Sequence, residues 1–208
     1  MPLKNKAFQP VSSAPRDLNE VTKALYGGTD DERWAAARAA RQLPGCAKAL
    51  GAALAGESNP RVREAMFTSL AVMATAESIE VLLPFVRSDE AFLRTGALDA
   101  LHAMKTEVRP YLPRLLGDAD ADVRLLACEL VRNAPSHEAT LLLCALLDRE
   151  VDPNVCACAV DVLAEIGGPD ALPALARCLE RFREIPFLAF SIKIAADRVR
   201  AQNPQAGG

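Results

Sequence analysis

A three-point pattern returns along this chain: an apolar residue, a small or slender residue four positions later, and an apolar residue four beyond that. It reads Val155, Ala159, Leu163 in its clearest copy. It returns as Val123, Ala127, Val131, as Leu93, Ala97, Leu101 and as Val62, Met66, Leu70, with Ala35, Ala39, Leu43 as a degenerate first copy. The starts fall 27 to 32 residues apart. Spacings of three and four set such side chains on one helical face. A period near 30 residues with two such helices per unit points to an α-solenoid, because one pair cannot cover its own stripes and stacked pairs can. The expected fold is all-α: an α-solenoid of about five helix pairs with capping helices at both ends.

The unit at 152–183 shows the construction. Its first helix carries Val155, Ala159, Val162, Leu163 and Ile166, and a Gly167-Gly168-Pro169 turn follows. Its second helix is expected to bury Leu172, Leu175, Ala176 and Leu179. Earlier pairs are expected at 34–43 and 47–54, 60–74 and 78–86, 91–104 and 108–116, and 122–133 and 138–147. Asp17 can cap a helix over 18–26 that Gly27-Gly28 ends. Pro60 and Pro153 sit where a missing N–H costs little. Pro84, Pro113 and Pro173 should bend or shorten second helices. Residues 1–16 are expected to be a mobile N-terminal arm, 17–200 one solenoid domain, and 201–208 a disordered tail.

Half of the residues are hydrophobic and only 5% are aromatic, so Ala and Leu do most of the packing. A net charge of −3 and a pI near 5.5 lack the basic footprint of a nucleic-acid-binding domain. No apolar run reaches the roughly 18 residues that a membrane span needs, and residues 1–15 lack the apolar stretch of a secretory signal. Six cysteines without dense spacing argue against a disulfide framework and for a reducing cytoplasm. No phosphate loop, nucleophile elbow or Ser/His/Asp set occurs. No catalytic residue, metal ligand or cofactor is therefore assigned.

Arg63, Arg94 and Arg124 each follow the first apolar residue of their copies, behind the turns Asn59-Pro60, Asp89-Glu90 and Asp120-Ala121-Asp122. Over about residues 29–183 this pattern resembles bacterial HEAT repeats, in particular the HEAT-like repeats first named from phycobilisome lyases. The resemblance implies stacked helix pairs and leaves several functions open. The Arg row is expected to be a structural ladder, each Arg pairing with a turn Asp such as Asp89, Asp120, Asp122 or Asp152. A di-iron site of the HEAT-type hydroxylase would need several His-Glu pairs, and only His137-Glu138 is present. A DNA-repair glycosylase would need a basic, aromatic groove, whereas Trp34 is the only Trp and is expected to act in a cap. A bilin lyase or isomerase subunit would need an accessible nucleophilic thiol, with Cys46 and Cys156 the first candidates. Cys156 and Cys158 diverge by roughly 200° on a helix and cannot share an ion. Cys128, Cys144, Cys158 and Cys178 fall at or beside packing positions.

In HEAT-type solenoids the second helices line the concave face. The resemblance thus implies a non-catalytic scaffold or adaptor that binds another protein, of acidic or mixed surface, through Glu80, Arg87, Arg114, Leu141, Arg149, Arg177 and Arg181. The end of the chain is the other candidate surface. Phe182, Phe187 and Phe190 fall there, and from Phe187 to Ile194 the apolar residues nearly surround the helix. The simpler reading buries Phe187 and Phe190 in a C-terminal cap; the other leaves them as an interface that could pair two copies.

Overall fold

A computed structural model describes Pro15 and residues 17–202. The expected arm, Pro15 aside, and the tail from 203 onward lie outside the described residues. Among the described residues all regular structure is helical. They divide into two compact units, one ending at Val81 and one beginning at Leu82.

In the first unit, α1 (Leu18–Gly27) begins where the Asp17 side chain accepts the Glu20 N–H at 2.9 Å. α2 (Asp30–Ala40) opens on a reciprocal capping box between Thr29 and Glu32. α3 (Ala47–Leu54) and α4 (Pro60–Met73) complete the next pair, and α4 has Asn59 as its cap and Pro60 in its first turn. α2 lies between α1 and α4. Small side chains allow that closeness: Ala36, Ala37 and Ala40 are fully buried. Gly51 does the same for α3, since a Cβ there would stand 2.2 Å from a Val81 methyl. α5 (Ala76–Leu82) ends this unit's run.

In the second unit, Pro84 falls in a 3-10 turn, Leu83–Arg87, and Pro110 in another, Arg109–Tyr111. Between them runs α6 (Ala91–Ala103), and α7 (Leu112–Leu116) follows the second. The expected shortening by proline is thus seen at Pro84 and Pro113. Pro173 instead sits in the first turn of a continuous α11 (Ala171–Arg181), where its ring meets no preceding turn. The remaining helices are α8 (Ala121–Val131), α9 (Ser136–Leu147), α10 (Pro153–Ile166) and α12 (Pro186–Gln202). The first helices α8, α10 and α12 lie side by side, as do the second helices α9 and α11. Leu112, Leu116, Leu130 and Leu143 fill the space between layers, each worth about 1.5–3 kcal/mol of burial.

Two expectations need correction. α11 buries Ala171, Ala174, Leu175 and Cys178, while Ala176 is exposed and Leu172 and Leu179 are only half-buried. Its inner face is rotated by one residue, because the close helix contact is made by small side chains rather than by the bulkiest ones. α12 continues to Gln202, two residues beyond the expected tail boundary, with the Gln202 amide donating to the Ala164 carbonyl at 3.4 Å.

One joint recurs where each pair meets the next. Glu57, Ser88, Asp118 and Glu150 occupy the same place in four turns. Each side chain accepts the backbone N–H two residues on: Asn59, Glu90, Asp120 and Asp152 respectively, at 2.8–3.2 Å. Each carbonyl is approached by the side chain six residues on: Arg63, Arg94 (2.7 Å), Arg124 (2.9 Å) and, more loosely, Cys156 (4.0 Å). The Arg row is therefore structural, as expected, with a turn carbonyl as the common partner and, for Arg124, the Glu150 carboxylate of the next turn besides. Turn carbonyls at the end of a helix pair lack helical partners, and the guanidinium satisfies them.

At two of the four joints the first helix of the preceding pair sends an Arg onto a turn glutamate. Arg33 meets Glu57 with its Nε at 2.6 Å and a second nitrogen at 3.1 Å; Arg124 meets Glu150 at 2.6 and 2.9 Å. Glu57 and Glu150 are 6% and 4% exposed, the only buried carboxylates among the described residues, and each also accepts two backbone N–H groups. The Arg33 hydrogen bond holds the Glu57 carboxyl below its ordinary value against the burial that opposes it. At Glu150 burial is the largest influence and pushes upward, but the bonds from Arg124 and the turn N–H groups outweigh it and the net shift is downward.

Candidate functional site

The arginines expected to face a ligand are mostly engaged within the chain. Arg87 pairs with Asp118. Arg177 grips Asp148 with both ends of its fork, Nε at 3.0 Å and a terminal nitrogen at 2.9 Å. Arg149 donates to the Ala145 and Leu116 carbonyls at 2.9 and 3.1 Å. Arg181 donates to the Leu147, Asp148 and Glu150 carbonyls and lies against Phe182. Each ties one second helix to its neighbour. Arg114 is exposed above Tyr111, 5.7 Å from the ring centre, and Leu141 is exposed on α9. Glu80 is exposed in the first unit, on α5.

The C-terminal helix overturns the cap expectation for its two phenylalanines: Phe187 is 52% and Phe190 66% exposed, with Ile194 beside them at 40%. Aligning Pro186 with Pro153 explains why. Leu188, Ala189, Ile192 and Ala195 of α12 take the buried places of Val155, Cys156, Ala159 and Val162 of α10. On the side where a further repeat would stack, α10 has buried Val160 and Ala164, whereas α12 has exposed Lys193 and Asp197. Those two positions of α12 are charged where α10 is apolar. The outward positions are Asn154, Ala157 and Asp161 in α10 but Phe187, Phe190 and Ile194 in α12. The apolar strip is therefore a feature of the outer face and not the unused side of a missing repeat.

The thiols are a poor basis for nucleophilic chemistry. Cys46 and Cys156, the two candidates, are both fully buried. Burial raises the Cys46 thiol above its ordinary value. A hydrogen bond with Cys178, then burial, holds Cys156 protonated. Cys158 is raised by its contact with Cys128, and Cys144 is pushed up by burial to about 11. Cys156 and Cys158 thus turn to opposite neighbours, α11 and α8, as their helical divergence requires. Among the described residues no group of three His, Cys, Asp or Glu could hold a metal ion, and no helix is long and apolar enough to cross a membrane.

Sequence reasoning missed a cleft on the outer face of α2 and α4. It is a shallow space of about 350 Å³ lined by Trp34, Arg38, Arg41, Arg61, Glu64 and Thr68. Trp34 is not a cap. Arg38 and Arg61 lie over its ring, 4.7 and 4.3 Å from the centre, contacts worth about 0.5–1 kcal/mol each at an exposed site. Arg61 also pairs with Asp31 at 2.8 Å. Arg38 and Arg41 make no ion pair among the described residues.

A family model described as HEAT repeats matches residues 108–184. No curated protein matches the chain. Among solved structures, two engineered proteins are similar: one 18% identical, covering 90% of this chain and 98% of that one at a TM-score of 0.44, the other 19% identical, covering 90% and 100% at 0.44. A designed armadillo repeat protein is 17% identical, covering 88% of this chain and all of that one at a TM-score of 0.40. Residues 108–184 are thus similar to HEAT repeats, the chain folds as an all-helical repeat protein, and its function has to be argued from its own residues.

Proposed function

We propose that this helical-repeat chain is a non-catalytic scaffold or adaptor that holds a partner protein, with the outer strip of α12 as an anchor. The observation that carries the reading is the exchange of Asn154, Ala157 and Asp161 in α10 for Phe187, Phe190 and Ile194 at the same outward positions of α12. Aromatic side chains held on a rigid helix are the residues around which interface energy concentrates. The partner presents an apolar groove or helix face to them. Arg114 and exposed Leu141 on the second-helix layer would extend the contact, with the remaining arginines of that layer holding repeats together. Six unpaired thiols fit a reducing compartment, which we take to be the cytoplasm. A bilin-lyase role is disfavoured by the burial of Cys46 and Cys156; the repeat resemblance and the Arg-over-Lys, Ala-rich usage support a bacterial origin.

The double variant Phe187→Ser/Phe190→Ser tests the reading. Both residues are exposed, so the helical signal and unfolding midpoint should stay near those of the native chain. A protein recovered with the native chain from source lysate should be lost with the variant. Recovery by both chains would remove α12 from the interface. Sedimentation across concentration separates the remaining case, in which the occupant is a second copy of this chain.

A further inference from the structure

The same guanidinium occupies equivalent places in two parts of the chain, enclosed by carboxylates in one and without an ion pair among the described residues in the other. Arg33 and Arg124, with their partners Glu57 and Glu150, fix the alignment: α2 matches α8 at an offset of 91 residues, and α4 matches α10 at 93. On this alignment the caps Thr29 and Asp120 coincide, as do Pro60 and Pro153. Arg41 then corresponds to Arg132, and each is the residue just past the end of its helix.

Arg132 is enclosed by three carboxylates: Glu129 at 2.8 Å on its own helix, and Asp161 (2.6 Å) and Glu165 on the next. The residues at those three positions around Arg41 are Arg38, Thr68 and Val72. No acid is present at any of them, and the nearest substitute adds a second positive charge. The Arg38 and Arg61 guanidiniums lie over the Trp34 ring; an arginine so placed can still turn N–H groups of its fork to a carboxylate, as Arg61 does to Asp31. Glu64 and Asp31 are the acids close by, and Asp31 is paired with Arg61. Residues 1–16 and 203–208 contain no Asp or Glu that could fill the place from within the chain.

We propose that the Trp34–Arg38–Arg41–Arg61 cleft binds an acidic segment of a partner protein, which supplies the carboxylates that Glu129, Asp161 and Glu165 supply to Arg132. Asp161 and Glu165 are four residues apart on one helix, so the fitting segment carries Asp or Glu at positions i and i+4 of a helix. The ring of Trp34 already carries the protein's own guanidiniums, so it is not an open platform for a nucleic-acid base. This site is in the first unit and is argued independently of the α12 strip.

The sole tryptophan is its own reporter. Trp34 emission is titrated with a helical synthetic peptide bearing Glu at i and i+4, with the same peptide carrying Gln, and with a single-stranded oligonucleotide. The expected result is a saturable change with the Glu peptide that weakens steeply with salt. The Gln peptide should bind at least tenfold more weakly, as should the Glu peptide to Arg38→Ala/Arg41→Ala. A second variant, Arg38→Glu/Thr68→Asp/Val72→Glu, rebuilds the carboxylate set around Arg41. It should abolish peptide binding while raising the unfolding temperature by roughly 2–4 °C. Equal response to Glu and Gln peptides, or unchanged affinity in either variant, overturns the proposal. So does tighter binding of the oligonucleotide, which would make the cleft a phosphate-chain site.

Discussion

The outer face of α2 and α4 and that of α8 and α10 begin from the same joint and end in opposite electrostatic states. In both, an Arg enters the buried turn of the next pair and closes on a Glu that also takes two backbone N–H groups. Two turns beyond, Arg132 is surrounded by carboxylates, whereas Arg41 has Arg38 for a neighbour and Thr68 and Val72 where acids stand in the other copy. The joint is common because it holds repeats together. The outer face is free to differ because solvent can satisfy it, and a difference kept there without internal compensation is where a partner can act.

The largest test of this comparison is at the shared joint. Glu150→Ala should destabilise the second unit by about 2–4 kcal/mol, since it removes the carboxylate from a half-buried guanidinium and the acceptor from two N–H groups. Glu57→Ala should cost a similar amount in the first, and a negligible cost there by chemical denaturation would break the equivalence of the two joints. Next in size is the acid response. Glu57 and Glu150 have carboxyls held below the ordinary 4.5, so their stabilisation is complete above that pH and is lost as pH falls through the depressed values. Denaturation midpoints should therefore drop below pH 4.5, and Glu57→Gln/Glu150→Gln should flatten the slope.

The outer faces separate the copies more finely. Arg132→Ala should cost about 1–2 kcal/mol, because three carboxylates are left crowded together. Arg41→Ala should change stability by no more than about 0.5 kcal/mol. Equal costs would mean that Arg41 is satisfied in the free protein after all. The smallest effect is expected on α12, where Phe187→Ser/Phe190→Ser should shift stability by about 0.5 kcal/mol or less while removing an adhesive surface.

The repeat is legible in the sequence because Val, Leu and Ala recur with a period that burial enforces; the weak first copy is not, since α2 runs Asp30–Ala40 rather than 34–43 and buries Ala36, Ala37 and Ala40 in place of Ala35, Ala39 and Leu43. The row of Arg63, Arg94 and Arg124 is legible as structural, but its carbonyl partners are not, since they depend on a turn conformation that brings a residue six positions back under the guanidinium. The inner face of α11 is misread because Leu172 and Leu179 outrank Ala171 and Cys178 in hydrophobicity, although the tight helix contact selects for size. The engagement of Arg87, Arg149, Arg177 and Arg181 is likewise hidden, each partner lying about thirty residues away or on a backbone carbonyl. The Trp34 cleft could have been found. It needed the weak first copy aligned to the fourth through Arg33 and Arg124, and then the acids around Arg132 checked one by one against Arg38, Thr68 and Val72.

The arginine side-chain resonances of the isotopically labelled protein test the central contrast most directly, with Arg41→Lys and Arg132→Lys giving the assignments. The account predicts a slowly exchanging, well-dispersed Arg132 Nε–H in the free protein and a broad, rapidly exchanging one for Arg41 that sharpens and shifts only when the Glu peptide is added. A protected Arg41 signal in the free protein, or one that the peptide leaves unmoved, would contradict it.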